Sequence, residues 1–482
     1  MVPMQIIENL VNSGLYKSAE ECLNFNIPFL KTGTELIQVY NLQGKVYHDT
    51  KQWKKCLDII TELEKLEVDW VLEPDFRMIK AKCNFELCNV NEAIEVLLPV
   101  YELELAKFKD GKRNRLFDIC FDLNVYYGTI GEDSKATEML LHIPKDYKDF
   151  DIVKYDSVTP KLVNGDFLEA FKMLYDVTKT DKWGTMNKYN IDKSKYLPNV
   201  ESIKDKIIVA FNEGGIGDEV IFARFIQVIK KYEPSKIIVV TDRLTKLMSR
   251  VVGVDEVVST KAIESGGVKY DYIIPMMSAP AFLNVNTPVV DDLQYIKDDE
   301  KQIQSLLLYN STMNGIKKYH NQEKNKLNIA VRWMGNPGFP HDHLRQLPVK
   351  ELESLTYLGS VFSVQKIDKD YTGDNKLDTT SRIIDMDAFL NTWNDTISIM
   401  RNCDYVVTSC TSVAHIAAVT GCKVIVIVPK MPYMVWVPDC YENSKADKWY
   451  GSNVKVIHQK EFGNWSTPIK EAYDYILENT KK

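Results

Sequence analysis

Apolar residues recur every three or four positions through the first 150 residues, as in "QIIENLVNSGLYKSAEECL" and "LIQVYNLQGKVYHDTKQWKKCLDIITELEKL". That period lays one apolar stripe along each segment and predicts helices over 1–150. "LVNGDFLEAFKMLYDV" (162–177) reads as a closing helix pair. From about 205 the rhythm changes. "KIIVAF" (206–211), "SKIIVVTD" (235–242), "DEVVST" (255–260) and "YDYIIPM" (270–276) are short apolar runs that read as strands between helical stretches. A polar run at 310–326, "NSTMNGIKKYHNQEKNK", reads as a hinge. The pattern then restarts in "LNIAVRWMG" (327–335), "VFSVQK" (361–366), "DYVVTS" (404–409) and "KVIVIVP" (423–429). Strand and helix in alternation predict parallel sheets flanked by helices, with ligands beyond the carboxyl ends of the strands. The organisation expected is a helical region 1–150, a helical or irregular connector 151–204, and two facing α/β domains at 205–325 and 326–482.

The helical region carries a spacing of its own. Ala19, Cys56 and Ala93 stand at successive intervals of 37, and Gly44 and Ala81 precede the latter two by 12. Small residues there let antiparallel helices approach closely. Ala136 marks a fourth unit after a longer loop. The spacing resembles a degenerate tetratricopeptide (TPR-like) array, which stacks helix pairs into a solenoid. An irregular helical bundle is the other reading.

Charge and cysteine content narrow the function. A net charge of −7 over 482 residues argues against a broad nucleic-acid binder, which is normally basic. No apolar run reaches 18 residues, so no membrane span is expected. The first residues lack a basic start and an apolar stretch, so a cytoplasmic location is expected. Nine scattered cysteines contain no CxxC pair and read as reduced thiols, with neither a disulfide framework nor a zinc site.

Two loops carry candidate chemistry. "NEGGIGDE" (212–219) follows the first strand and opens a helix. It is neither G-x-G-x-x-G nor a Walker loop. Gly214, Gly215 and Gly217 permit positive φ and leave room for a ligand against the main chain. Asp218, in the first turn, either caps the helix or, facing a cleft, serves as a general base. "TSCTS" (408–412) opens the helix "VAHIAAVT". Its free N–H groups and the hydroxyls of Ser409, Thr411 and Ser412 suit a diphosphate, unless Ser409 or Thr411 simply caps the helix. His415 lies on the same helix face as Thr411, or packs in the core. Arg332 and Arg345 have the fork that grips phosphate oxygens. His341, Asp342 and His343 suggest a metal, but no further ligand lies near in sequence, and none is expected. Tyr433, Trp436, Trp449 and Tyr450 could stack on a base or sugar, or pack in the core.

Residues about 205–475 resemble the heptosyltransferase-like glycosyltransferases, and most closely those with N-terminal tetratricopeptide repeats. The matching segments are "GGIGDEVIFARF", "MMSAP" (276–280), "VRWMGNP" (331–337), "LRQLP" (344–348), "FSVQK" (362–366) and "NDTISIMRNCDYVVTSCTSVAHIAAVTGCKVIVIVP" (394–429), in family order. The resemblance implies a GT-B fold, a pair of Rossmann-like domains with the acceptor on the first and the donor on the second. It implies inverting sugar transfer from a nucleotide-diphospho-sugar to an acceptor hydroxyl, without metal or other cofactor. Asp218 matches the acid that acts as base. Arg345 matches a basic residue that steadies the donor phosphates, and Thr411, Ser412 and His415 match the donor-side helix start. Cys410 departs from the pattern: many of these enzymes have an Asp there that contacts the donor, so heptose and ADP are not carried over. A glycan acceptor is expected. The alternatives are a polypeptide acceptor presented by the repeats, as in the O-GlcNAc enzymes, and an inactive scaffold that binds a protein.

Overall fold

A computed structural model describes residues 1–30, 33–66, 73–109, 115–143, 158–178, 192–322, 324, 327–336, 342–367, 373–430, 432–437 and 449–480. The chain divides into two compact units, Met1–Lys148 and Asp149–Lys482.

The first unit is helical. Its described helices are α1 (Met4–Asn12), α2 (Tyr16–Asn26), α3 (Gly33–Asp49), α4 (Trp53–Lys65), α5 (Pro74–Glu86), α6 (Val90–Lys109), α7 (Leu116–Ile130) and α8 (Asp133–Leu141), each packed on the next. One turn recurs inside every pair. Gly14, Lys51, Cys88 and Gly131 all have φ between +57° and +79°. In each, the left-handed residue's N–H bonds the carbonyl three back, and the next N–H bonds the carbonyl five back, as in Gln52 to Tyr47 at 2.8 Å and Asn89 to Asn84 at 2.9 Å. These bonds satisfy the last carbonyls of the first helix and reverse the chain.

Ala19, Cys56, Ala93 and Ala136 are all buried. Cys56 Sγ donates to the Gly44 carbonyl at 3.5 Å, and Asn124 Nδ2 donates to the Ala136 carbonyl at 2.9 Å, across the same twelve-residue offset. Gly44 itself is not forced by close approach. A Cβ there would lie 3.8 Å from Ile59 Cγ2, an ordinary contact.

The second unit holds two parallel sheets. β1 (Ile207–Phe211), β2 (Lys236–Val240), β3 (Glu256–Val258) and β4 (Tyr272–Pro275) form the first, in the order β3-β2-β1-β4. β5 (Leu327–Arg332), β6 (Gly359–Ser363), β7 (Ile384–Asp385), β8 (Tyr405–Ser409), β9 (Val424–Val428) and β10 (Val454–His458) form the second, in the order β10-β9-β8-β5-β6-β7. β8 and β9 are buried along their whole length, as central strands covered on both faces should be. Chain direction across each sheet reverses beside its first strand, between β1 and β4 and between β5 and β8. Such reversals open a crevice at the strands' carboxyl ends. The glycine loop follows β1, and "SCTS" follows β8.

The polar run expected to be a hinge is mostly helix, Glu300–Tyr319. Tyr309, Met313 and Lys317 are buried at four-residue intervals along it, so one narrow stripe packs and the remaining polar residues form a solvated face. The single helix expected after Asp218 is instead Ile216–Phe222, a 3₁₀ turn Ala223–Phe225, and Ile226–Lys230. The described part of the connector includes the helix pair Val158–Val163 and Phe167–Thr178, joined at Gly165 by the same left-handed turn. Much of the rest of 151–204 lies outside the described residues. Phe171 meets Phe222 at 5.8 Å and Phe167 meets Trp449 at 5.9 Å, so this pair packs on the helix that carries Asp218. Among the described residues no helix is long and apolar enough to cross a membrane.

Candidate active site

The helix Ile216–Phe222 starts one residue after Gly215, at the carboxyl end of β1. Asp218 points back over its own loop. Its Oδ2 accepts the Gly215 N–H at 2.6 Å, so the capping role expected for it is present. Its Oδ1 accepts the Tyr433 hydroxyl at 2.7 Å, and Tyr433 comes from beyond β9 in the second sheet. The residue as a whole is half-buried, and its carboxyl is surrounded by protein. Burial pushes its pKa up, and the bonds from Tyr433 and Gly215 and the charges of Arg243 and Arg345 pull against that rise.

The glycines serve space rather than backbone angle. None of the three has a positive φ. A Cβ on Gly214 would stand 2.3 Å from Asp218 Oδ2 and 2.6 Å from Met277 Sδ. A Cβ on Gly217 would stand 3.1 Å from His415 Cδ2 and 3.6 Å from Ser412 Cα. Gly214 therefore makes room for the carboxylate. Gly217 lets the first turn of this helix lie against the first turn of Ser412–Val419.

Side chains not singled out by the sequence complete this wall. Glu219 is buried and accepts Thr241 Oγ1 at 2.7 Å and Arg243 Nη2 at 2.5 Å. Arg243 Nη2 also donates to the Gly214 carbonyl at 2.8 Å, which brings a cation to the loop. Glu213 accepts the Met277 N–H at 3.0 Å and so ties the loop after β4 to the loop after β1.

On the opposite wall, Ser412–Val419 begins at Thr411, whose side chain caps nothing. Thr411 Oγ1 and Ser409 Oγ are buried and have no hydrogen-bond partner among the described residues. Ser412 is half-buried at the helix start. Arg345 lies beside it. Its Nε donates to Asp342 Oδ1 at 2.7 Å and its Nη1 to the Cys410 carbonyl at 3.3 Å. A Cβ on Gly335 would meet Arg345 Nη2 at 2.5 Å, so that glycine makes room for the guanidinium. Arg332 turns to the backbone, with Nε on the Met334 carbonyl at 3.2 Å and Nη1 on the Val364 carbonyl at 3.2 Å, and burial lowers its pKa to about 10.

His415 is a core residue. Its Nδ1 lies 2.8 Å from the Tyr450 hydroxyl and its ring stacks on Trp436 at 4.9 Å and 6°. Burial, with Arg224 and Arg345 nearby, holds its pKa down to about 3, so the imidazole is neutral and supplies no charge to an anion. Trp436 is fully buried with one face on His415, and Trp449 and Tyr450 are buried as well. Arg224 lies over the rings of Trp449 and Tyr450, at 4.8 and 4.7 Å. Of the four aromatic candidates only Tyr433 is bonded to Asp218, and it is so through its hydroxyl. That could not be read locally, because its partner is 215 residues away. Among the described residues no cluster of acids, histidines and cysteines could hold a metal, and His341 lies outside them.

No family model and no curated protein matches the chain. Among solved structures it is similar to a family 9 glycosyl transferase from Veillonella parvula, with 13% identity, a TM-score of 0.37, and coverage of 58% of this chain and 90% of that one. It is similar also to the Escherichia coli ADP-heptose LPS heptosyltransferase II, with 13% identity, a TM-score of 0.37, and coverage of 57% and 99%. A third is the bacterial iron-containing dodecameric glycosyltransferase TibC from enterotoxigenic E. coli, with 10% identity, a TM-score of 0.35, and coverage of 57% and 78%.

Proposed function

We propose that this chain is a glycosyltransferase of GT-B type that moves a sugar from a nucleotide-diphospho-sugar to an acceptor hydroxyl, with inversion and without a metal. One observation carries the reading. The buried hydroxyls of Ser409, the last residue of β8, and Thr411, at the helix start, have no hydrogen-bond partner among the described residues and lie at the strand-end crevice of one sheet, and Asp218 lies at that of the other. An unpartnered buried hydroxyl costs about 1–3 kcal/mol, which a bound diphosphate would relieve.

The chemistry follows from the two walls. Asp218 takes the proton of the acceptor hydroxyl while that oxygen bonds the anomeric carbon. The bond from that carbon to the diphosphate oxygen breaks, and its electron pair leaves on the diphosphate. Arg345, the N–H groups at the start of Ser412–Val419 and the hydroxyls of Ser409, Thr411 and Ser412 receive the charge. Arg332 shapes the crevice through its backbone bonds. The helical unit is read as a tetratricopeptide-like solenoid, supported by the repeated left-handed turn, and its role is to present a glycan acceptor or a protein partner.

The test is a thermal-shift panel with ADP, UDP, GDP, dTDP and CMP, run without metal and then with Mg²⁺. Saturation at about 100 times Kd adds roughly 2.7 kcal/mol. One nucleotide that stabilises the protein without metal supports the reading and names the donor class, whereas a panel with no shift removes the donor site. Asp218→Asn keeps that shift and lowers transfer by about 10²–10⁴-fold. Near-normal turnover in this variant would refute the base assignment.

A further inference from the structure

We propose that Tyr433 is a positioning residue for the base: reaching from the second sheet, its hydroxyl holds Oδ1 of Asp218, so the carboxylate is aimed only while the two walls of the cleft stand together. The inference rests on the reading of Asp218 as the base.

The geometry carries it. Gly215 N–H fixes one carboxylate oxygen from within the loop, and Tyr433 fixes the other from across the cleft. The terminal torsion of an aspartate is soft, and a single bond leaves the group free to swing. A carboxylate oxygen has two lone pairs, so Oδ1 bonded by Tyr433 can still accept an incoming hydroxyl. Tyr433 is itself held from behind. It precedes the 3₁₀ turn Met434–Trp436, whose three residues are buried. Trp436 stacks on His415, and a Cβ on Gly217, one residue before Asp218, would lie 3.1 Å from Cδ2 of that same ring. Base and tyrosine are thus registered against one imidazole.

The surrounding charges leave Tyr433 a distinct effect. Arg243 and Arg345 favour the carboxylate, but each is already paired, to Glu219 and to Asp342. His415 is neutral. Among the influences that oppose burial at Asp218, the Tyr433 bond is the largest. Its loss therefore raises the pKa of the base.

The experiment uses the full chain with ¹³C-carboxyl aspartate, titrated by NMR in wild type and Tyr433→Phe, with Asp218→Asn identifying the resonance. Nucleoside diphosphate release from UDP-glucose, ADP-glucose, GDP-mannose and dTDP-glucose is followed against pH in parallel. In Tyr433→Phe the Asp218 midpoint moves up. The acid limb of kcat moves with it, and kcat at low pH falls about tenfold with KM nearly unchanged. A second variant with 3-fluorotyrosine at 433, a stronger donor, moves the midpoint down and guards against a misfolded Phe variant. An unmoved midpoint, or a kcat lowered equally at every pH, overturns the inference. Failure of the base reading is separate: there Asp218→Asn keeps its turnover whatever Tyr433→Phe does.

Discussion

In the helical unit the turn inside each helix pair needs a left-handed residue. Gly14 and Gly131 supply it, and Lys51 and Cys88 supply it too, with a side chain attached. In the α/β unit, Gly214 and Gly217 have ordinary backbone angles, yet a Cβ on either would press on Asp218 or His415. The same residue type thus answers a backbone demand in one unit and a spatial demand in the other. The repeat tolerates substitution because a strained φ costs only about 1–2 kcal/mol and can be absorbed locally. The loop has no such latitude, because the atoms in the way are the Asp218 carboxylate at Gly214 and the packed His415 ring at Gly217.

The contrast can be attacked from either side. The largest effect belongs to Gly214→Ala. The new methyl displaces the Asp218 carboxylate, and transfer falls about 10²-fold, as expected for a reacting group misplaced by an ångström. Circular dichroism stays that of wild type, and retained activity would show that the glycine has no such role. Next comes acid. His415 has a folded pKa of about 3 against an ordinary 6.5, so the unfolded chain takes up its proton first. Stability is therefore complete above pH 6.5 and drains away as pH falls toward 3, by about 2 kcal/mol at pH 5. Urea midpoints read this, and His415→Gln flattens the dependence. The smallest effects test the repeats. Gly44→Ala, inside a helix with room for the methyl, stabilises by about 0.5–1 kcal/mol. Cys88→Gly relieves a left-handed side chain and gains no more than about 1 kcal/mol in thermal unfolding. A destabilised Gly44→Ala would restore the close-packing role first read from its spacing.

What the sequence disclosed follows the same division. Strands such as "VIVIV" announce themselves because a strand buried on both faces leaves no polar position. The 37-residue interval showed in Ala19, Cys56 and Ala93 because each is buried against a neighbouring helix. The turns that set the interval were silent, since Lys51 and Cys88 have no preference for the left-handed region. The helix at 310–319 was hidden because its buried stripe includes Lys317, which bonds Asn328 Oδ1 at 2.9 Å. In the candidate site, Asp218 and the glycines could be named from their loop. Arg243 and the hydroxyl of Tyr433 could not, because their roles exist only after distant strands align. For Trp436 the sequence left a ligand stack and core packing both open, and the residue packs, on His415, a partner no local pattern reveals.

Arg224 gives the order of the chain a meaning in time. It is fully buried, and its Nη1 donates to the carbonyl of Trp449, 225 residues further on, at 2.5 Å. A ribosome adding about 5–20 residues each second needs roughly 10–45 s to supply that partner. Until then only the nearer carbonyls of Ile221 and Pro288, at 2.9 and 3.0 Å, are there to receive the guanidinium. The first sheet is synthesised first, but the packing around Arg224 on the helix beside it is completed only when Trp449 arrives.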